Sequence, residues 1–124
     1  MFTEKFMEVL KNEGVVSIVT WTDDEPHLVN SWNSYLVITE DNKILIPAYA
    51  MRTTEKNLLI NKKFKMSLGS KNVLGYNDYP GTGFIVDGSG SFIDSGKDFD
   101  MMKDKFSFLT RVLVLNINSA KQML

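Results

Sequence analysis

The sequence predicts a small, mainly β protein, an antiparallel barrel with short helices, from three observations. Short segments rich in Val, Ile, Leu and aromatic residues recur along the chain and are bounded by Gly, Pro, Asn and Asp. Apolar residues at helical spacing occur only in brief stretches. The 124 residues, 44% of them hydrophobic and 23% charged, suit a single domain over residues 1–124. Six or so strands with few helices favour a small antiparallel barrel.

Three short stretches have apolar residues at helical spacing. The first lies at the N-terminus and ends before Gly14, a natural C-terminal cap. The second runs from about Thr54 to Asn61, and the third covers 97–106.

The remaining apolar segments have strand character. VVSIVTW is rich in β-branched residues, and HLVNSWNSY follows it after a turn at 23–26 as its antiparallel partner. Gly88 and Gly90 interrupt a long strand pattern and predict a bulge or bend. A loop is predicted from Lys71 to Gly83, and 119–124 form a tail. The strand segments are 15–21, 27–35, 36–39, 43–47, 65–70, 83–94 and 109–117.

Composition excludes several classes of function. A net charge of −1 without a basic block makes nucleic acid a poor partner. The absence of cysteine removes thiolate zinc sites and iron–sulfur clusters, and one histidine, His27, is too few for an ordinary metal site or a catalytic triad. We therefore predict no metal and no catalytic side chain. No apolar run reaches the roughly 20 residues of a membrane helix, and the N-terminus lacks a secretory pattern, which predicts a cytoplasmic protein.

One region has the residue types of a ligand site. Trp32 stands among Asn30, Ser31, Asn33 and Ser34, so an aromatic ring and several amides and hydroxyls share one short segment. After the strand at 43–47, the loop AYAMR leads to Thr53 and Thr54 at a helix start, where free N–H groups and the helix dipole favour an anion. Arg52 adds a positive charge there. Together they suggest a planar, phosphorylated molecule, and flavin mononucleotide (FMN) fits.

The same residues also have ordinary interpretations. A tryptophan in a strand is often part of the core. Thr53 and Thr54, taken alone, are most simply an N-cap pair. Arg52 immediately before them shifts the balance toward a bound anion.

Several motifs resemble a known family. They are EVLKNEGVVSIVTW, PHLVNSWNSYL, Met51 followed by TEKN, LGSKNVLG and DYPGTGF. In these the chain resembles the small FMN-binding proteins of anaerobic bacteria, part of the flavin split-barrel group related to pyridoxamine 5′-phosphate oxidases. The resemblance runs from Phe6 to Leu124. It implies a six-stranded antiparallel split β-barrel and a homodimer with one non-covalent FMN per subunit near the dimer interface.

The resemblance also implies roles for individual residues. Residues along the cofactor are Asn30, Ser31, Trp32 and Asn33. Residues passing the edge of the isoalloxazine ring are Pro47, Ala48, Tyr49, Ala50 and Met51. Thr54 would hold the phosphate, with Arg52 and Thr53 beside it. Phe108 and Leu124 would come from the partner subunit to cover the ring, and Glu13 would place a negative charge near the partner's flavin.

The chain departs from the family pattern at three of these positions. Thr53 replaces a lysine, and Arg52 next to it is the candidate to supply the missing charge. Tyr49 stands where a glycine is usual, close to the ring edge. Phe108 replaces a tryptophan and keeps an apolar cover without the indole N–H. These changes bear on the ring's environment and potential more than on binding.

The sequence leaves three functions open. The leading prediction is an FMN-binding redox protein that passes electrons, because no residue is suited to acid–base or nucleophilic work and the cofactor would supply the chemistry. The alternative is a flavin reductase or pyridoxamine 5′-phosphate oxidase-like oxidoreductase using NAD(P)H or another small substrate. The third is a non-redox module that binds another phosphorylated ligand or none. The redox partner is not identified by the sequence.

Overall fold

The computed structural model describes residues 2–124 as one antiparallel sheet with three short helices. The strand order is β2-β1-β5-β6-β7-β4-β3, and every pair is antiparallel. The elements are α1 Glu4–Leu10, β1 Val15–Thr20, β2 His27–Trp32, β3 Val37–Ile38, β4 Lys43–Ala48, α2 Arg52–Ile60, β5 Lys63–Leu74, β6 Pro80–Ile93, α3 Lys97–Lys105 and β7 Arg111–Gln122. The sheet curls around one core, which confirms the predicted split barrel. The described strands number seven rather than six because the two-residue β3 pairs with β4.

Alternation of side chains places the core inside the curled sheet. On β1 the even-numbered residues are buried, and the same period of two runs through β5 and β6. The interior cluster includes Phe6, Ile18, Phe64, Val86 and Leu113. β4 and the first half of β7 are buried on both faces, because α3 covers their outer side with Met102. Because both faces are buried, the sequences of these two segments are continuous apolar runs.

β5 and β7 extend well beyond their predicted ends. β5 continues to Leu74, into the predicted loop, and β7 continues to Gln122, through the predicted tail. The β7 extension is mostly polar and lacks a strand pattern of its own, so its pairing with the 14-residue β6 decides its structure. The β5 extension crosses an irregularity after Ser70, where Val73 is buried, and meets β6 again only at the pair Leu74 and Pro80.

Gly88 marks the predicted bulge. The register between β6 and β7 shifts there, since Asp87 pairs with Ser119 but Gly88 pairs with Ile117. A Cβ at Gly88 would lie 1.9 Å from the carbonyl oxygen of Asn116. The bulge therefore brings two backbones so close that only glycine fits.

Gly14 is not a helix cap, contrary to prediction. α1 ends at its C-cap Lys11, three residues earlier. A Cβ at Gly14 would lie 1.9 Å from the carbonyl oxygen of Gly69. The glycine allows the chain to pass closely over β5 as it enters β1.

Candidate functional site

β2 divides its predicted ligand residues between two faces. β2 ends at Trp32, and Asn33–Tyr35 form a 3₁₀ turn where a strand was predicted. Ser31 on β2 and Asn33 in this turn are buried, whereas Asn30 and Trp32 lie on the outer face, where Trp32 is 47% exposed. The Ser17 hydroxyl on β1 donates to the Asn30 side-chain oxygen at 2.9 Å. The outer face therefore offers an exposed indole beside a fixed amide, while side chains at alternate positions serve the core.

Asn33 has a clear internal role. Its side chain is fully buried, and its Nδ2 atom lies 3.2 Å, 2.8 Å and 3.0 Å from the carbonyl oxygens of Val9, Asn12 and Gly69. These carbonyls belong to α1, the segment after it and β5. The Asn33 amide thus joins three parts of the chain near the start of the barrel.

Replacing Asn33 by alanine is expected to lower the free energy of unfolding by about 2 kcal/mol, because the part-buried carbonyls of Asn12 and Gly69 lose the donor that Asn33 supplies, while that of Val9 keeps only the Asn12 backbone N–H. Thermal or urea unfolding measures this loss. Asn30→Ala, which removes one exposed bond, is the control and should change stability by about 0.5 kcal/mol or less. Equal stability of the two variants would contradict the role assigned to Asn33.

The loop between β4 and α2 is fixed by the start of β7. The backbone N–H of Thr110 donates to the Ala48 carbonyl at 2.9 Å, and its hydroxyl donates to the Tyr49 carbonyl at 3.1 Å. Arg111 donates through Nη2 to the Ala50 carbonyl. Three consecutive carbonyls therefore face β7. Since C=O and N–H point in opposite directions across a trans peptide, the N–H groups of the following residues face away from β7.

Six consecutive backbone N–H groups, from this loop and the first turn of α2, make no hydrogen bond in the part of the chain that the structure describes. Within residues 2–124, the backbone N–H groups of 49–54 have no hydrogen-bond acceptor. Met51 is left-handed, with φ 61°, and α2 begins at Arg52 without a side-chain cap. A left-handed residue followed by helical ones turns successive N–H groups toward one point, an arrangement that binds anions. Thr53 and Thr54 lie in the first turn of α2 and do not cap it.

The side chains at this corner also favour an anion. The Thr54 hydroxyl is buried, with the residue 1% exposed, and has no partner within residues 2–124. Arg52 is exposed, with Nη1 3.2 Å from Glu55, and the buried Arg111 has Nη1 3.7 Å from the same carboxylate. One carboxylate thus faces two cations at a helix N-terminus, where the dipole already disfavours positive charge. An added anion would balance the excess positive charge at this corner.

Arg111 and Thr110 were not predicted as functional. Arg111 is the only charged residue in the apolar run LTRVLVLNI. Charged residues are almost never fully buried unless they are paired. That single interruption was the available signal, but the sequence could not show which carbonyls the side chain would reach.

Glu13 and Phe108 each contact the segment that follows β2, Glu13 at Ser34 and Phe108 at Tyr35. Glu13 accepts hydrogen bonds from the Ser34 backbone N–H at 3.0 Å and hydroxyl at 2.7 Å. The Ser34 hydroxyl is the main cause that lowers the pKa of Glu13 below its usual 4.5. Tyr35, the next residue, has its ring centroid 5.6 Å from that of Phe108, which is 44% exposed.

Leu124 is held in place through its backbone carbonyl. Its carbonyl accepts from the Thr82 hydroxyl at 3.2 Å and from the Tyr76 backbone at 3.0 Å, while its side chain stays 66% exposed. Leu124 and Glu13 line a shallow cavity of about 400 Å³ together with Gly69 and Lys71. Glu13 and Leu124 thus line one cavity, whereas Phe108 lies two residues before Thr110, which contacts the β4–α2 loop.

Residues 2–124 contain no group of three or more His, Cys, Asp or Glu side chains placed to hold a metal ion. None of the helices in this part of the chain is both long and apolar enough to span a membrane.

Comparison with known proteins gives consistent results. The model of the pyridoxamine 5′-phosphate oxidase family matches residues 2–123. A curated protein of Nitratidesulfovibrio vulgaris (strain Miyazaki F), described as an FMN-binding protein, is 44% identical over 124 residues and the full length of both chains. Among solved structures, HupZ from Group A Streptococcus has a TM-score of 0.80 at 12% identity, with 99% of this chain and 94% of that chain covered.

A second solved structure, an FMN-binding protein from Syntrophomonas wolfei subsp. wolfei, has a TM-score of 0.66 at 21% identity. The alignment covers 90% of this chain and 76% of that one. At these identities the two structures support the fold alone. The family model and the full-length relative support more, and by them the chain belongs to the pyridoxamine 5′-phosphate oxidase family.

Proposed function

We propose that this protein binds FMN, with the phosphate at the N-terminus of α2 and the ring beside the outer face of β2. The observation that carries the proposal is the row of six unused amides at 49–54, which ends at the buried, unpartnered hydroxyl of Thr54. Of these six residues only Thr54 is buried, and a buried polar group without a partner is uncommon in native proteins. The exposed amides are open to a ligand, as at the start of any helix. A phosphate at the helix start and ring oxygens along the loop would satisfy them. The 44% identical FMN-binding protein supports the same ligand.

The residues have distinct roles in this proposal. FMN, when bound, supplies transfer of one or two electrons. The amides of 49–51 would hydrogen-bond acceptor atoms at the ring edge, and Trp32 and Asn30 would contact its flat side. Thr54, with Arg52, would hold the phosphate. Thr53 contributes its backbone N–H, in place of a lysine side chain.

We also propose that two copies of the chain share each flavin site. Glu13, Phe108 and Leu124 would cover the ring of the partner subunit. The exposed apolar side chains of Phe108 and Leu124 support this, since both would lose contact with water on association. Glu13 is held ionised by Ser34, so it would act on the flavin by its charge and would not donate a proton.

The direct test is flavin binding by the purified protein. We expect it to retain visible flavin absorption after gel filtration with excess FMN, and to quench the fluorescence of added FMN at a ratio of one per chain. Protein that remains colourless and leaves FMN fluorescence unchanged would refute the proposal. It would support a non-redox module on the same fold.

Glu13→Gln is expected to raise the reduction potential of the bound flavin, because a negative charge disfavours the reduced, anionic form. A unit charge near the ring is worth on the order of 1 kcal/mol, or about 20 mV for a two-electron couple. A spectroscopic redox titration measures the shift. Glu8→Gln, on the exposed side of α1, is the matched control and should leave the potential unchanged. An unshifted potential in Glu13→Gln would contradict the proposed placement.

A second candidate function is a flavin reductase or oxidase that admits a small substrate to the ring. The shallow cavity of about 400 Å³ beside Glu13 and Leu124 favours it, since it lies on the surface proposed to cover the flavin. Steady-state oxidation of NADH and NADPH, with and without added FMN, separates the two functions. Turnover would support the enzyme, and its absence in flavin-loaded protein would support the electron carrier.

A further inference from the structure

We propose that Arg111 is a positioning residue for the flavin, because it fixes the direction in which the peptides of the β4–α2 loop face. The inference rests on the proposed function and assigns a role to a residue at a position outside the predicted ligand set. Arg111 would not touch the flavin. It would act through the loop carbonyls, so that the amides on the other side of the same peptides face the ring.

The geometry holds the guanidinium firmly. Arg111 pairs with Ala48 across β4 and β7, and its side chain is 8% exposed. The guanidinium carbon lies 5.0 Å from the centroid of the Phe92 ring, a cation–π contact. Nη2 reaches the Ala50 carbonyl and lies 3.4 Å from the Tyr49 carbonyl. Glu55, 3.7 Å from Nη1, restrains the other arm.

This restraint determines what the loop presents. A charged donor beside two successive carbonyls stabilises one orientation of each peptide, and charge-assisted bonds are about twice as strong as neutral ones. If the 49–50 or 50–51 peptide turned over, a carbonyl oxygen would replace an N–H on the flavin side. An oxygen would repel the acceptor atoms at the ring edge. By binding the carbonyls of Tyr49 and Ala50 on the β7 side, Arg111 therefore keeps the N–H groups of the same peptides on the flavin side.

A direct contact between Arg111 and the phosphate is the competing role, since Nε and Nη1 have no hydrogen-bond partner within residues 2–124. The two roles predict different ligand dependence. Loss of positioning weakens the binding of every ligand that carries the isoalloxazine ring, whereas loss of a phosphate contact weakens the binding of FMN alone. Nη2, the atom with partners, is bound to the loop, and this favours positioning.

The experiment compares FMN and riboflavin binding to Arg111→Met, Arg111→Lys and Thr110→Val. We expect Arg111→Met to weaken both flavins by the same factor, about tenfold, which corresponds to about 1.4 kcal/mol. Arg111→Lys should recover part of the loss. Thr110→Val, which removes the second donor to Tyr49, should weaken both flavins by a smaller, equal factor. Lys105→Met, an exposed charge on α3, is the control.

Two further measurements separate positioning from a general loss of stability. The visible spectrum of the bound flavin should shift in Arg111→Met, because hydrogen bonds at the ring edge change. In FMN-loaded protein, the amides of 49–51 should exchange faster in Arg111→Met than in wild type, while those of β1 should not change. Thr110→Val provides the same readouts if Arg111→Met does not fold.

The failures are distinguishable. Unchanged affinities and spectra in the variants, or a loss confined to FMN, would overturn the role of Arg111 and leave flavin binding intact. Wild-type protein that binds neither flavin would overturn the proposed function, and the inference with it.

Discussion

Replacing Arg52 and Thr54 together by alanine is expected to weaken FMN binding about a hundredfold and to leave riboflavin binding nearly unchanged. Each charge-assisted contact to a phosphate is worth roughly 1.5–3 kcal/mol, so the two together correspond to about 3 kcal/mol or more. Riboflavin lacks the phosphate, and its ring and ribityl contacts are untouched. Fluorescence titration of both flavins measures the ratio of the two losses. Equal losses would place the phosphate elsewhere.

The two side chains should contribute unequally. Arg52 is exposed and lies beside Glu55, so solvent and that carboxylate weaken its effect. Thr54 is buried and its hydroxyl has no partner in the described chain, so a hydrogen bond to the phosphate should contribute more to the affinity for FMN. Lys56→Gln removes an exposed charge one turn further along α2 and is the matched control. It should affect neither flavin.

Thr54→Val separates binding from folding. The buried hydroxyl without a partner carries a desolvation penalty of about 1–3 kcal/mol, which valine avoids at nearly the same shape. We therefore expect flavin-free Thr54→Val to unfold at higher denaturant concentration than wild type while it binds FMN more weakly. A variant that loses both stability and FMN would indicate a structural role for the hydroxyl.

Gly88→Ala is expected to lower the free energy of unfolding by about 3 kcal/mol, the upper part of the range for overpacking. The added Cβ would meet the carbonyl oxygen of Asn116 at 1.9 Å, so the bulge between β6 and β7 must open. Urea unfolding of flavin-free protein measures the loss. Near-wild-type stability would show that the two strands can separate there without penalty.

Gly96→Ala is the control for that variant. Gly96 has φ 103° and nothing within 4 Å of the position of a Cβ. Alanine there meets no atom but must adopt a backbone region that is populated almost only by glycine, which costs on the order of 1–3 kcal/mol. The loss in Gly96→Ala therefore measures backbone strain without a steric contact, whereas the loss in Gly88→Ala, at a glycine without positive φ, measures the close approach of the strands.

The sequence by itself determined the type of fold. β-Branched segments separated by turn residues predicted β1, β2 and the hairpin at β4, and Gly88 predicted the bulge. Period-two alternation is a local property, so it can be read without a structure. The short helices followed from apolar residues at helical spacing, which is also a local property, and α2 began two residues earlier than predicted.

The extents and faces of the strands were decided by the tertiary structure. The polar end of β7 is a strand because β6 pairs with it as far as Gln122, whereas β5 reaches Leu74 across an irregularity and meets β6 there only at Pro80. The sequence placed Ser31 and Asn33 along the ligand with Asn30 and Trp32, although alternation already separates their side chains. Which of the two faces is the core depends on what packs against β2, and here Asn33 binds carbonyls of α1 and β5.

The candidate site shows the same division. The sequence identified the loop before α2, its threonines and Arg52, because a helix start is a local signal. It did not identify Thr110 and Arg111, which lie 61 residues from Tyr49 and Ala50 along the chain and beside them in space. The direction of a loop peptide depends on the donors that reach its carbonyl. Only the pairing of β4 with β7 brought those donors to the loop, and so decided which amides remain free for a ligand.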